Sequence, residues 1–473
     1  MGGLGWTLSV ALILLLLDFS EFTSAFSAQR STLFVRTLHM TSFHEPKVEE
    51  HLIGRDRSLS SDVPEGILNS GSDVLNSAVL VTGTTVGAGI LALPEVASGP
   101  GLLPSCVALI ASWIFMCSTG LLIAEVTANV KMRRQKEYSE ETIGILSLVN
   151  ISLGKQASAV VGAIYLFIHY SLLTAYMSES GKIIDDTTGY PGAGVPVYFL
   201  LSSALFLNSS SETVDNINIG ALAIVVISFF ALTFIASASF DVHKALSVQN
   251  FSAMGSAIPI MLLALVYQNV VPVISEQLNY KREKIEISVF LGTGLPLVMF
   301  IVWLAVILGL SPDDSVALVT DGRNDPVTTL RLASSNVFIG PIVSLFSIFA
   351  IFTSYTGFYV GLENFFKDLL PSRQGSRDPL IFSLVLLPPL LVSLSGNTDM
   401  FLTLLDSAGT FGITTLFGIF PPLMALKMRE MNESEGEVYV EYVPGGKPVL
   451  WGTIATAFLV MALKIETYKQ IWQ

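Results

Sequence analysis

Residues 82–95 read TGTTVGAGILALPE, in the middle of a stretch that is otherwise apolar and helix-like. Gly83, Gly87, Gly89 and Pro94 stand where a membrane helix favours Leu and Ile. Inside a helix a glycine costs about 1 kcal/mol and a proline about 3 kcal/mol relative to alanine. Gly83 and Gly87 have a plain explanation, because small residues four apart let membrane helices touch. Gly89, Pro94 and the hydroxyls of Thr84 and Thr85 at the same depth go further. Backbone freed at membrane depth is tolerated only where it is buried in protein or lines a cavity. The stretch therefore predicts a broken helix, with amides and carbonyls exposed to hold a small charged solute.

The composition agrees with a membrane setting. Of 473 residues, 51% are hydrophobic and only 13% charged, with a mean hydropathy of +0.64. Soluble domains carry about 25% charged residues, so the chain reads as an all-α polytopic membrane protein. A net charge of −13 excludes nucleic acid as a partner, which needs clustered Lys and Arg. Cys106 and Cys117 fall on one predicted helix roughly 16 Å apart. They cannot bridge each other, because bridged Cα atoms lie within about 7 Å.

Apolar segments recur at 74–97, 101–127, 157–180, 194–210, 217–237, 255–275, 287–309, 336–362, 379–395, 400–426 and 448–464. That predicts eleven spans, within a transporter domain of 74–464 and ahead of a tail at 465–473. Lys and Arg concentrate on cytoplasmic loops. With the N-terminus inside, fourteen lie on inner loops and six on outer positions; the five left in the leader and linker complete the 25.

The N-terminal region reads as an address. Residues 7–17 form an apolar run followed by TSAFSA, the layout of a signal peptide over 1–25, although no Lys or Arg precedes the run. Phe26 to His44 contain no Asp or Glu but hold Arg30, Arg36 and several Ser and Thr, which is transit-peptide composition over 26–45. A polar linker follows at 46–73. The joint at Ser24-Ala25-Phe26 resembles the bipartite leader of plastid proteins in algae with secondary plastids. That resemblance implies the plastid inner envelope; an ordinary secretory leader, and so a secretory-pathway or plasma membrane, is the alternative.

A second defect lies five spans on. The sixth span, IPIMLLALVYQNVVPVISEQ, holds Tyr267, Gln268 and Asn269 at mid-membrane with Pro272 and Glu276 beyond. Two interrupted segments at corresponding positions are the best sequence pointer to a transporter's binding site. Five spans between them is an odd number, so the halves run in opposite directions. The expected architecture is a five-plus-five inverted repeat with discontinuous first and sixth helices and an appended eleventh.

GTTVGAGILALPEVASGPGLLPS, LLIAEVTANV, YLFIHYSLLTAYMSESGKII, VYQNVVPVISEQL, GTGLPLVMFIVWLAVILG, IFAIFTSYTGFYVGLENFFKDLL and DSAGTFGITTLFGIFPPLMALKMRE together resemble the tryptophan/tyrosine permease family. The resemblance covers about residues 74–464. It implies the leucine-transporter-like fold of the amino acid–polyamine–organocation superfamily, and proton-coupled symport of tryptophan, tyrosine and related amino acids. Bacterial members usually carry a histidine in the sixth span where this chain has Gln268, which bears on both aromatic specificity and any proton role there.

By analogy with other broken-helix transporters, the substrate carboxylate is expected at the amides of Val86, Gly87, Ala88 and Gly89, beside Thr84 and Thr85. The ammonium is expected at carbonyls of the unwound segments with Gln268 or Asn269, near Tyr267. Tyr170 and Tyr176 point to different faces of the third span, so one lines the site. Tyr170 is preferred because the family motif runs through it; lipid-facing or packed tyrosines are the alternative. Thr353 and Ser354 are candidate ligands for a coupling cation, or hydroxyls bonded to the preceding helical turn. For a coupling proton the order is Glu125, Glu95, His169, since ionisable groups in a membrane are functional candidates by default; for Glu125 a structural anchor is the alternative.

The rivals are a sodium-coupled or broader neutral amino acid carrier, a passive channel and an intramembrane enzyme. No H-E-x-x-H, G-x-S-x-G or G-x-x-x-x-G-K-[ST] pattern occurs, so the enzyme reading lacks its usual signatures. No cofactor or metal is expected.

Overall fold

The computed structural model describes residues 65–134, 144–237, 240–310, 339–370, 378–395, 400–436 and 439–471. The signal-peptide and transit-peptide readings, and the linker as far as residue 64, lie outside the described residues. The first helix begins at Glu65, nine residues before the expected boundary at 74, so the end of the linker is helical. The last helix likewise continues through most of the expected tail, to Ile471.

Among the described residues the regular structure is helical, without strands. In chain order the helices are α1 (Glu65–Thr85), α2 (Gly89–Ser98), α3 (Leu102–Arg134), α4 (Ile145–Leu153), α5 (Lys155–Thr188), α6 (Gly194–Asn208) and α7 (Ser211–Ser237). They continue with α8 (Met254–Ala264), α9 (Val271–Gln277), α10 (Arg282–Gly309), α11 (Ile339–Leu369), α12 (Pro379–Ser393) and α13 (Met400–Ser407). After a π-helical turn at Ala408–Ile413 come α14 (Thr414–Gly418), α15 (Phe420–Glu435) and α16 (Gly446–Ile471).

Among the described residues eight apolar helical stretches are long enough to cross a membrane, two of them with internal irregularities, and the bent pair α1 and α2 makes a ninth. α6 and α12 are apolar but have 15 residues each, about 22 Å against a hydrocarbon core of about 30 Å. Counted with them, the described residues hold eleven apolar rods, nine of them long enough to span. Rod one is α1 with α2; two, α3; three, α5; four, α6; five, α7. Rod six is α8 with α9; seven, α10; eight, α11; nine, α12; ten, α13 to α15; eleven, α16.

The packing repeats when five is added to a rod number. Rod seven lies on rod one as rod two lies on rod six; rod five packs on rod eight as rod ten packs on rod three. Rods three and four touch, and so do eight and nine. Rod nine packs on rod three while rod four meets rod eight through Phe206, stacked on Tyr359 at 3.8 Å, and Tyr198, edge-on to Tyr355 at 5.2 Å. Rods one, two and three each touch their own counterparts six, seven and eight. These pairings are those expected of an inverted five-plus-five repeat.

Small residues set the crossings. A Cβ on Gly292 in rod seven would lie 2.6 Å from the Ala78 carbonyl oxygen in rod one, and one on Gly194 in rod four 1.9 Å from the Gly181 carbonyl oxygen in rod three. Such approaches admit only glycine, and they let apolar rods associate through close packing where no hydrophobic force acts between helix and lipid.

Candidate functional site

The first rod breaks where the opening stretch places the defect. α1 ends at Thr85 and α2 starts at Gly89, and the two axes meet at 59°. The last regular bond of α1 runs from the Val86 amide to the Thr82 carbonyl, 2.9 Å. Beyond it the Ala88 amide leaves the helix and donates to Ser354 Oγ in rod eight, 2.8 Å. The Ile90 and Leu91 amides turn back to the Gly87 and Ala88 carbonyls. The carbonyls of Thr84 and Val86 therefore lose the amide donors that a continuous helix would supply, and among the described residues the Gly87 amide has no acceptor. Gly83, Thr84, Gly87 and Gly89 stay partly exposed.

Rod six interrupts at the matching depth. α8 stops at Ala264 and α9 starts at Val271, with Pro272 in its first turn. The two defects abut: a Cβ on Gly89 would stand 2.8 Å from Ala264 Cα, and one on Gly87 2.3 Å from Ser354 Oγ. Gly89 is required by close approach to another rod's backbone, whereas Gly87 meets only the end of a side chain.

The expected site residues divide into groups. Val86 and Ala88 lie buried in the break, as does the Thr85 side chain. The Thr84 and Thr85 hydroxyls donate to the Leu80 and Val81 carbonyls, each under 3 Å, and so close the last turn of α1. Thr353 does the same to Ala350. Its neighbour Ser354 instead caps the break, so of the proposed cation pair one hydroxyl holds the site's backbone and the other holds its own helix.

Asn269 is exposed at the second break, but Gln268 and Tyr267 are turned away from it. Gln268 is fully buried; its amide nitrogen reaches the Met116 carbonyl at 3.2 Å and Thr119 Oγ1 at 3.3 Å, while its oxygen accepts from the Tyr267 amide at 3.0 Å. Tyr267 donates to the Met116 carbonyl, 3.1 Å, in space left by Gly120. Both side chains fasten rod six to rod two. Tyr170 also points elsewhere, donating to the Leu384 carbonyl of rod nine at 2.8 Å. Tyr176, the alternative left open by the sequence, is the tyrosine that lies near Ser354, with its ring beside those of Phe358 and Phe401 at 5.9 and 6.5 Å.

The proton candidates are held in distinct ways. Glu95 lies half-buried in α2. His169 is buried, with Nδ1 2.8 Å from the Tyr165 carbonyl oxygen and its ring stacked on Tyr165 at 3.8 Å. Glu125 is fully buried and takes five donors. Arg429 Nε and Nη2 reach its two oxygens at 2.9 Å each, the Tyr442 and Val443 amides reach Oε2 at 2.8 and 3.2 Å, and the Tyr439 hydroxyl completes the set. Asn129, one turn on, makes paired bonds with the backbone of Val440. Burial and the Glu125 carboxylate beside it push the Tyr439 hydroxyl far above its ordinary range, and the same causes push Tyr442 up to about 12. Both hydroxyls therefore remain donors, Tyr442 to the Tyr280 carbonyl at 2.9 Å. This is the bonding geometry that the anchor alternative for Glu125 requires.

The sequence pattern of the tryptophan/tyrosine permease family matches residues 70–464, which include both breaks. The chain belongs to the tryptophan/tyrosine permease family. Its relatives within that match include a tryptophan-specific transport protein of Haemophilus influenzae, 26% identical over 403 residues, covering 80% of this chain and 94% of the relative. The glutamine transporter 2 of Aliivibrio fischeri is 25% identical over 410 residues, 83% of this chain and 99% of that one. A tyrosine-specific transport system of H. influenzae is 27% identical over 306 residues, 63% and 73% of the two chains. As a member of a permease family the chain is a multi-pass membrane transporter and not an enzyme.

For this permease the glycine contacts rank the substitutions. Gly89→Ala pushes a methyl into the backbone of Ala264, whereas Gly87→Ala meets only a rotatable hydroxyl. Overpacking of this kind costs about 1–3 kcal/mol. Per inserted molecule, Gly89→Ala should lower initial uptake roughly tenfold or more and Gly87→Ala less, with uptake and membrane insertion measured together. Normal uptake by Gly89→Ala would remove the break from the mechanism. Glu125→Gln takes from Arg429 its buried carboxylate and leaves it that of the half-exposed Glu441, and losing one member of a buried pair costs about 3–5 kcal/mol. Its expected signature is a lower melting temperature in detergent, partly restored by Arg429→Met; loss of pH-driven accumulation with unchanged melting would return Glu125 to proton transfer.

Proposed function

We propose that the chain is a secondary active transporter, a proton symporter of an aromatic amino acid, tyrosine or tryptophan, with its substrate at the paired breaks of rods one and six. The observation that carries this reading is the opened backbone at 85–89: an amide without an acceptor, and carbonyls without helical donors, beside Ser354 and Tyr176. Such a site offers donors to a carboxylate and acceptors to an ammonium, the two groups every amino acid presents. The aromatic walls of Tyr176, Phe358 and Phe401 suit an aromatic side chain through ring stacking. Relatives named for tryptophan and tyrosine transport support the same class.

A second reading, a broader or sodium-coupled neutral amino acid carrier, has one observation in its favour. The glutamine transporter of A. fischeri matches over 99% of its length. Proteoliposomes separate the two. Labelled Trp, Tyr, Phe, Gln and Leu are presented under an imposed proton or sodium gradient. Trp and Tyr should accumulate on the proton gradient alone; accumulation of Gln on sodium would establish the second reading, and flow without accumulation would make the protein a channel.

The same proposal places the carrier in the plastid inner envelope, on the strength of the acid-free stretch after Phe26. Residues 1–45 fused to a fluorescent protein should reach the plastid, and Phe26→Ala should stall the fusion outside it. Delivery of the parent fusion to the cell surface, or a glycan on the Asn250-Phe251-Ser252 sequon in the full chain, would place it in the secretory pathway instead.

A further inference from the structure

One buried ion pair lies apart from both breaks and from the Glu125 cluster. Asp406 ends α13 in rod ten, and Lys464 lies in rod eleven; Nζ and Oδ1 are 2.9 Å apart, an ionic approach rather than an aligned hydrogen bond. Both residues are buried, 8% and 9% exposed. Lys464 Nζ also donates to the Ser256 carbonyl in α8 at 3.2 Å.

Stability alone does not account for the pair. A buried ion pair is commonly no more stabilising than apolar residues of the same volume, so a pair buried in protein at the end of a span invites a further reason for its retention. The position of Asp406 suggests that reason. The π-helical turn begins two residues later, and such turns recur at functional sites. Here the turn nests against rod six: a Cβ on Gly409 would come 2.3 Å from the Pro259 carbonyl oxygen in α8. α8 ends at Ala264, on which Gly89 rests. Direct contact thus runs from Lys464 through Asp406, the π-turn and α8 to the first break.

We infer that Asp406 and Lys464 form an ionic pin with which rod eleven holds the π-helical turn of rod ten closed against α8, positioning the wall that α8 gives to the break. Rod eleven is then a working part of the carrier. Neither residue belongs to the broken segments, so both are positioning residues.

The reporter is Thr410→Cys in the π-turn, where Thr410 is fully buried and, among the described residues, its hydroxyl has no partner. The full chain is placed in vesicles with Cys106→Ala, and Cys117, buried in rod two where it contacts Thr293 of rod seven, is the internal control. A membrane-impermeant thiosulfonate is added to each face in turn, and modification is read peptide by peptide by mass spectrometry. The double variant Asp406→Asn/Lys464→Gln leaves no orphan charge and should insert. It should be modified at residue 410 about tenfold faster than the paired protein, from the face where rod ten begins, the shift expected when roughly one unit of log population moves between two states. Cys117 should react at an unchanged rate, and Lys464→Arg, which keeps the pair, should behave as the parent. Equal rates at residue 410, faster reaction at both cysteines, or failure of the double variant to insert would each reduce the pair to a fold anchor. Labelling needs no substrate, so the result is independent of which amino acid is carried.

Discussion

Hydrocarbon offers no hydrogen bonds, and an unsatisfied backbone group there costs several kcal/mol. Rod one violates that constraint between Thr85 and Gly89, and the surrounding rods are arranged to make the violation bearable. Ser354 accepts the Ala88 amide, and the Thr84 and Thr85 hydroxyls shore up the turn before the gap. Rod eight therefore cannot slide along rod one without uncovering a buried amide. The groups that remain open are few and lie next to one another, which is what a selective polar site needs in a medium that punishes every spare one.

The second condition is distance. Carbonyl and amide groups become useful to a solute only when neighbouring backbones come close enough to share it, and side chains would hold them apart. Glycine at 87, 89, 292 and 409 removes the obstacle at four separate crossings. These contacts converge on rods one and six, so packing and function draw on the same residues. The mutual fit of rods paired by the five-rod rule follows from that: each half supplies a broken rod, and each half braces the break of the other.

Much of this was legible in the sequence. The run of Gly83, Gly87, Gly89 and Pro94 located the break because glycine and proline carry a known cost in helices, and Asn269 with Pro272 located its counterpart. Side-chain direction was less legible. Tyr170 and Tyr176 were correctly separated by helical angle, yet only the fold shows that Tyr176 faces Ser354 while Tyr170 reaches Leu384. Gln268 looked like a ligand because polar residues in membranes usually are; its partners Met116 and Thr119 are about 150 residues away in sequence and carry no motif. The partners of Glu125 are more remote still, and the π-turn after Asp406 leaves no pattern in composition, since a π-turn differs from an α-turn by a single backbone bond.

The Glu125 cluster bears on how the protein is assembled. Span two enters the bilayer with a carboxylate whose charge partner, Arg429, follows 304 residues later, and whose amide donors come later again, at Tyr442 and Val443. Until those residues arrive, the inner end of span two must keep its carboxylate wet or shared with some temporary neighbour. That end of the fold is thus completed last, by a loop lying between rods ten and eleven. A chain cut short within rod ten would hold most of its helices and still leave this buried carboxylate without Arg429 and the two amides, so the second rod becomes fully satisfied only when the last loop is in place.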